Sequence, residues 1–179
     1  MKNHLRVVAL VVASAFALAA CQTEKPQTSA APNYQAPVAK LAPPANLKSV
    51  CFADPDLAAF RARMTQQALA VGVLTCKNPD GSRLLNREYE GFIAKFNPEL
   101  KINAAELQDA VKRKGRNFDV VITEIANRTA QRPIEDPAYC SRHQRALEWA
   151  LTPSVTSLSQ VPSPYDLGPE MNVFPCPQG

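Results

Sequence analysis

The chain has 179 residues, of which 46% are hydrophobic and 20% charged, with 20 Lys+Arg against 16 Asp+Glu and a formal net charge of +4. That is one domain's worth of chain, apolar enough to bury a core and not the composition of a disordered protein. The charge excess is too small for a basic stripe, so no nucleic-acid partner is expected.

The first 20 residues have three parts. Lys2 and Arg6 give a basic start, residues 7–20 are apolar apart from Ser14, and Leu18-Ala19-Ala20 precede Cys21. Cations that stay on the inner side of a membrane and an apolar run that enters it make a secretory signal peptide. The run is about 14 residues, short of the roughly 20 that a permanent span needs. The Leu18-Ala19-Ala20-Cys21 segment resembles a bacterial lipobox. The resemblance implies cleavage before Cys21, acylation of its sulfur and new amino group, and hence a lipid anchor. Two or more acyl chains, at about 0.8 kcal/mol per buried CH₂, anchor stably where one does not. Lipoproteins kept at the inner membrane usually carry aspartate after the cysteine. Gln22 stands there, which implies an outer-membrane lipoprotein facing the periplasm.

Loss of Lys2, His4 and Arg6 with the leader takes Lys+Arg from 20 to 18 against 16 Asp+Glu and leaves His143 as the one histidine. Residues 21–50 hold Pro26, Pro32, Pro37, Pro43 and Pro44 among small and polar residues, with no apolar period. We read them as a disordered, extended tether that buries nothing. At about 3.1 Å per residue it reaches on the order of 90 Å.

The helical domain is expected over residues 51–152. Asp54-Pro55 suits a helix start, and Leu57, Phe60, Met64, Ala68, Val71 and Leu74 make a stripe that ends near Cys76. The turn Asn78-Pro79-Asp80-Gly81 follows. A second helix is predicted over 84–96, with Tyr89, Phe92, Ile93 and Phe96 inward, stopped by Asn97-Pro98. A third starts at Asn103, with Glu106 completing a capping box and Leu107, Ala110 and Val111 inward, and stops at Gly115. Lys112, Arg113 and Lys114 suit its C-terminal dipole.

Residues 118–126 are ambiguous. Val120, Val121, Ile122 and Thr123 suit a strand, but Phe118, Val121, Ile122 and Ile125 have helical spacing. With no other strand-like run as a partner, we read a helix capped by Asn117 and ended at 126–128. The last helix is expected from Asp136-Pro137 to Leu151, with Cys140, His143, Leu147, Ala150 and Leu151 on one face. Residues 153–179 carry six prolines from Pro153 to Pro177, yet also Val155, Leu158, Val161, Tyr165, Leu167, Met171, Val173 and Phe174. This reads as an extended segment lying against the bundle.

Four cysteines remain beside Cys21, and an even number in an exported chain reads as two disulfides. Three pairings are possible. Cys76 and Cys140 both lie on predicted helices, which favours pairing them and leaves Cys51 with Cys176 at the ends of the folded region. Each bond closes more than 60 residues, worth about 4 kcal/mol in the chain-entropy account. The fold expected is therefore all-α, a small bundle of four or five helices.

Candidate chemistry is sparse. Cys140-Ser-Arg-His143 with Cys51 and Cys76 is the nearest approach to a metal pattern, but the spacing is wrong for a knuckle and oxidation competes. Haem attachment needs two cysteines before the histidine. Glu88, Glu90 and Glu124 do not make a flanking carboxylate pair at their spacing, and no nucleophile elbow is present. Neither catalysis nor a cofactor is expected. Asn127-Arg128-Thr129 has the form of a glycosylation triplet and reads as a helix ending. Arg61, Arg63, Lys112, Arg113, Lys114 and Arg116 read as a solvated face.

The architecture resembles secretion-system pilotins, small helical outer-membrane lipoproteins that hold a partner subunit's tail in a helix groove. The resemblance implies an envelope protein as partner. Tyr89, Phe92, Phe96 and Tyr139 could line such a groove, and core packing explains them equally well. The alternatives are an envelope glycan-binding protein or hydrolase, and a structural spacer to peptidoglycan.

Overall fold

The structure, a computed structural model, describes residues 34–36 and 47–177. The leader, Cys21, Gln22 and the tether prolines lie outside the described residues.

The fold is all-α with two disulfides. Its elements are β1 (Val50–Phe52), α1 (Asp54–Thr75), α2 (Asn86–Arg113), α3 (Phe118–Glu135), α4 (Tyr139–Leu151) and β2 (Val173–Pro175). Single 3₁₀ turns occur at Leu158–Gln160 and Pro169–Met171. Helix α1 is central and packs on α2, α3 and α4. Its buried residues therefore wrap around it, with Leu69, Gly72 and Val73 joining Leu57, Phe60, Met64 and Ala68. The single stripe predicted for it fails at its end, where Leu74 is 57% exposed. Its cap is Ala53, with Asp54 and Asp56 inside the first turn.

The two helices expected over 84–96 and 103–114 are one helix, α2, running through Pro98. An internal proline costs about 3 kcal/mol. The buried residues Phe92, Phe96, Asn103, Leu107, Ala110 and Val111 continue one face across it, and their packing outweighs that cost. Asn103 is accordingly no cap. It is buried, and its Nδ2 donates to the Ala59 carbonyl at 2.8 Å, tying α2 to α1. Gly115 ends the helix as expected, at φ 65°.

Asn117 caps α3, accepting from the Val120 amide at 3.2 Å. The helix does not end at 126–128; it continues to Glu135 because the buried face Val121, Ile125, Thr129, Arg132 continues with polar members. The Thr129 hydroxyl returns to the Ile125 carbonyl at 2.7 Å. Helix α4 starts at Tyr139, not Asp136. Asp136 instead accepts from the Ala138 amide at 2.8 Å in the turn before it.

The C-terminal segment packs on the bundle. Val155, Leu158, Val161, Tyr165, Leu167, Met171 and Val173 are buried, and Phe174 is the exception at 40% exposed. Helix α4 is fastened to it by Trp149 Nε1 donating to the Gln160 carbonyl at 2.9 Å. Glu99 of α2 accepts from the Leu158 amide at 3.0 Å and from the Ser157 hydroxyl at 2.9 Å. Two strands that sequence did not suggest close the domain: β1 pairs in parallel with β2, Cys51 opposite Phe174. The disulfides are Cys51–Cys176, spanning 125 residues, and Cys76–Cys140, spanning 64. Both match the favoured pairing.

Two places in the expected tether contribute to the core. Tyr34 is fully buried and Leu47 is 7% exposed. Residues 34–36 lie along residues 162–164, with the Ala36 amide donating to the Pro164 carbonyl at 2.9 Å and Gln35 Nε2 to the Ser163 carbonyl at 3.0 Å. Arg142 holds this strap from α4, donating to the Tyr34 carbonyl at 3.0 Å. The same guanidinium donates through Nε to Asp136 at 2.7 Å, and the Tyr165 hydroxyl donates to that carboxylate at 2.8 Å. Burial alone would raise the Asp136 pKa, but these hydrogen bonds and the Arg142 charge hold it below 3.8.

Candidate functional site

Two adjoining concavities flank the N-terminal half of α1. One, of about 440 Å³, lies between α1 and the C-terminal segment and is lined by Leu57, Ala58, Arg61, Ala62, Val161 and Ser163 among others. The other, of about 510 Å³, lies between α1 and α2 and is lined by Ala58, Ala59, Ala62, Ile102, Asn103 and Glu106 among others. Ala58, Ala62, Leu158 and Ser159 line both, so the two concavities adjoin across these residues and together make the groove beside α1. Its floor comes from the sequence directly: Ala58 and Ala62 are four apart on α1 and face the same way. Ile102 stands beside them, 55% exposed.

Each half of the groove carries a buried polar atom without a partner among the described residues. In the α2 half it is Asn103 Oδ1, on a residue 2% exposed; in the other it is Ser163 Oγ, on a residue 5% exposed. A buried polar atom left unpaired costs about 1–3 kcal/mol, so these positions favour anything that supplies a partner. Carboxylates rim the groove. Asp56 pairs with Arg113 and Glu99 holds the Leu158 turn, whereas Asp54, Glu106 and Asp109 make no ion pair or hydrogen bond among the described residues.

Of the two readings open for Tyr89, Phe92, Phe96 and Tyr139, groove or core, the structure takes core packing for Phe92, Phe96 and Tyr139. Phe92, Phe96 and Tyr139 are 0%, 1% and 3% exposed, and Tyr89 is half-buried. Phe92 and Phe96 pack ring to ring at 5.2 Å, which is core packing. Burial pushes the Tyr139 hydroxyl up to about 12.

Other sequence candidates have structural roles. Cys51, Cys76, Cys140 and Cys176 are disulfide-bonded. His143 is fully buried between α4 and α1, with Nδ1 2.7 Å from the Tyr139 carbonyl, and desolvation lowers its pKa. Among the described residues no group of three or more His, Cys, Asp or Glu could hold a metal ion. Glu124 pairs with Arg128 at 3.5 Å and Glu90 accepts from Asn86 at 2.7 Å, so the carboxylates considered from sequence do not converge. The cations expected on one solvated face have different partners. Arg113 pairs with Asp56, and Arg116, half-buried, donates to the Met171 carbonyl at 3.4 Å. Asn127 lies mid-helix in α3.

Sequence reasoning missed Ala58, Ala62, Asn103 and Ser163. The small residues of α1 carried a signal, since Ala58 and Ala62 recur at a four-residue step outside the apolar stripe. Asn103 was disguised as a cap by the proline before it. No helix among the described residues is long and apolar enough to cross a membrane. No family model, curated protein or solved structure matches this chain.

Proposed function

We propose that this chain is an outer-membrane lipoprotein, anchored through Cys21, that acts as a non-enzymatic protein-binding or assembly factor in the cell envelope, in the manner of a pilotin. The observation that supports binding is the groove beside α1. It is open, floored by small residues and edged by Ile102, and two buried polar atoms in it lack partners. Two disulfides suit an oxidising compartment, in keeping with the leader.

The anchor and the binding are tested separately. A Cys21→Ala chain should be released from membranes; unchanged membrane retention refutes the anchor. For binding, a photo-crosslinking residue placed at Ala58 in intact cells should give one discrete protein adduct, and the same residue at exposed Gln131 of α3 should not. Absence of any protein adduct at Ala58, together with glycan turnover by the purified chain, would overturn the reading in favour of an envelope hydrolase.

A further inference from the structure

We infer that the occupant of the groove beside α1 is a basic amphipathic helix of another protein, its lysine or arginine side chains meeting Asp54, Glu106 and Asp109. This rests on the protein-binding reading and adds the chemistry of the partner. Three observations carry it.

The first is charge. The groove lining holds six carboxylates, Asp54, Asp56, Glu99, Glu106, Asp109 and Asp166, against two guanidinium groups, Arg61 and Arg113. The chain as a whole carries +4, so the negative groove runs against the bulk balance. Complementary charge sets register and steers encounter, and it is screened by salt.

The second is shape. Ala58 and Ala62 form a row of small side chains along α1, and such a row lets a second helix approach at the closer end of the usual 8–10 Å interaxial range. Exposed Ile102 flanks the row and offers apolar contact to the other face of an incoming amphipathic helix.

The third is the pair of orphaned polar atoms. Asn103 Nδ2 is already committed to the Ala59 carbonyl, so the unpaired atom of this buried side chain is Oδ1, an acceptor. Ser163 Oγ can also accept. Lysine and arginine are donors only, so they match acceptors and carboxylates together.

The test uses the exported chain with Cys21→Ser, so that it remains soluble, and two labelled probes. One is a short amphipathic peptide of leucine and lysine at helical spacing; its twin has glutamate in place of lysine. Fluorescence anisotropy should show the lysine peptide binding, more weakly as salt rises, and the glutamate peptide binding at least about tenfold more weakly. Ala58→Trp, at an exposed position, should fill the groove and abolish binding with the fold intact by circular dichroism. Asp54→Asn with Glu106→Gln and Asp109→Asn should weaken it by about tenfold or more. Equal binding of the two peptides, or binding indifferent to Ala58→Trp, overturns the inference. So does an Ala58 crosslink to a second copy of this chain. A crosslinked partner segment without basic residues overturns the inference and leaves the protein-binding reading standing. Lysine-peptide binding with no protein adduct in cells overturns the inference, and glycan turnover by the purified chain in addition overturns the protein-binding reading.

Discussion

The Tyr34 hydroxyl donates to the Pro162 carbonyl at 2.8 Å, joining two residues 128 positions apart and fixing the start of the described chain to its proline-rich end. The ring is fully buried, and burial raises the pKa of its hydroxyl. The strap is therefore part of the domain's core. It also shortens any tether: from Cys21 to Tyr34 is 13 positions, no more than about 45 Å even when fully extended. Loss of a buried aromatic ring costs about 3–5 kcal/mol and loss of one hydrogen bond about 1 kcal/mol. Tyr34→Ala should thus lower unfolding stability in urea by about 4 kcal/mol or more, and Tyr34→Phe by about 1 kcal/mol. A chain beginning at residue 47 should resemble Tyr34→Ala. Stability unchanged in all three would show that the strap is not held in solution.

Gly72 lets α1 and α4 approach at His143. A Cβ built on Gly72 would stand 2.8 Å from His143 Cγ and closer still to Cδ2. The imidazole is buried and held at Nδ1 by the Tyr139 carbonyl, so it has no room to yield. Alanine would gain about 0.5–1 kcal/mol of helix propensity, but overpacking a core costs about 1–3 kcal/mol. Gly72→Ala should come out destabilising, with a melting temperature several degrees lower. A raised melting temperature would mean that α4 can shift.

Glu170 is 2% exposed and stands between two guanidinium groups of α3. Arg128 Nη1 lies 3.0 Å from Oε2, and Arg132 pairs with Oε1 while lying over the Tyr165 ring at 5.6 Å. This ion cluster pins the Pro169–Met171 turn to α3. Removing one partner of a buried pair leaves an uncompensated charge, at about 3–5 kcal/mol, whereas replacing both with apolar groups is often neutral or stabilising. Glu170→Ala should therefore destabilise strongly. Glu170→Leu combined with Arg128→Met and Arg132→Met should recover most of the loss. The comparison is made by urea unfolding, and additive losses across the three sites would refute the account.

The same residues show why the sequence was legible in some places and opaque in others. Apolar spacing located α1, α3, α4 and the two ends of α2, because Leu57, Phe60, Leu107, Val121 and Leu147 drive burial whatever surrounds them. It failed where a buried face is completed by polar groups. Thr129 and Arg132 extend α3 past its expected end, and Asn103 carries α2 through Pro98. Their role depends on partners distant in sequence: Glu170 is 38 positions from Arg132, and Ala59 is 44 from Asn103. The groove was hidden for a related reason. It is defined by small side chains and by what stands opposite them, and neither leaves an apolar period. Tyr34 was lost among prolines, since one buried ring in a polar stretch makes no pattern.

His143 supplies a pH-dependent prediction. Its pKa is lowered chiefly by desolvation, against opposing contributions from backbone hydrogen bonds and Asp136. In the unfolded chain the imidazole titrates near its ordinary value of 6.5. Below that pH the unfolded state binds a proton that the folded state refuses, so stability is fully present above about 6.5 and falls as pH drops towards the lower folded value. Asp136, held below 3.8 in the folded state, adds its own loss only further into acid, so the two windows are separable. In a chain beginning at residue 21, His143 is the sole histidine, and its ring protons give one proton NMR titration. The midpoint should lie clearly below 6.5, and urea stability should decline between pH 7 and pH 5.5 with a slope of at most about 1.4 kcal/mol per unit. His143→Phe, which keeps a ring and loses the titration, should flatten that slope even if it lowers stability overall. A midpoint at or above 6.5, or an undiminished slope in the variant, would show that the imidazole is reached by solvent.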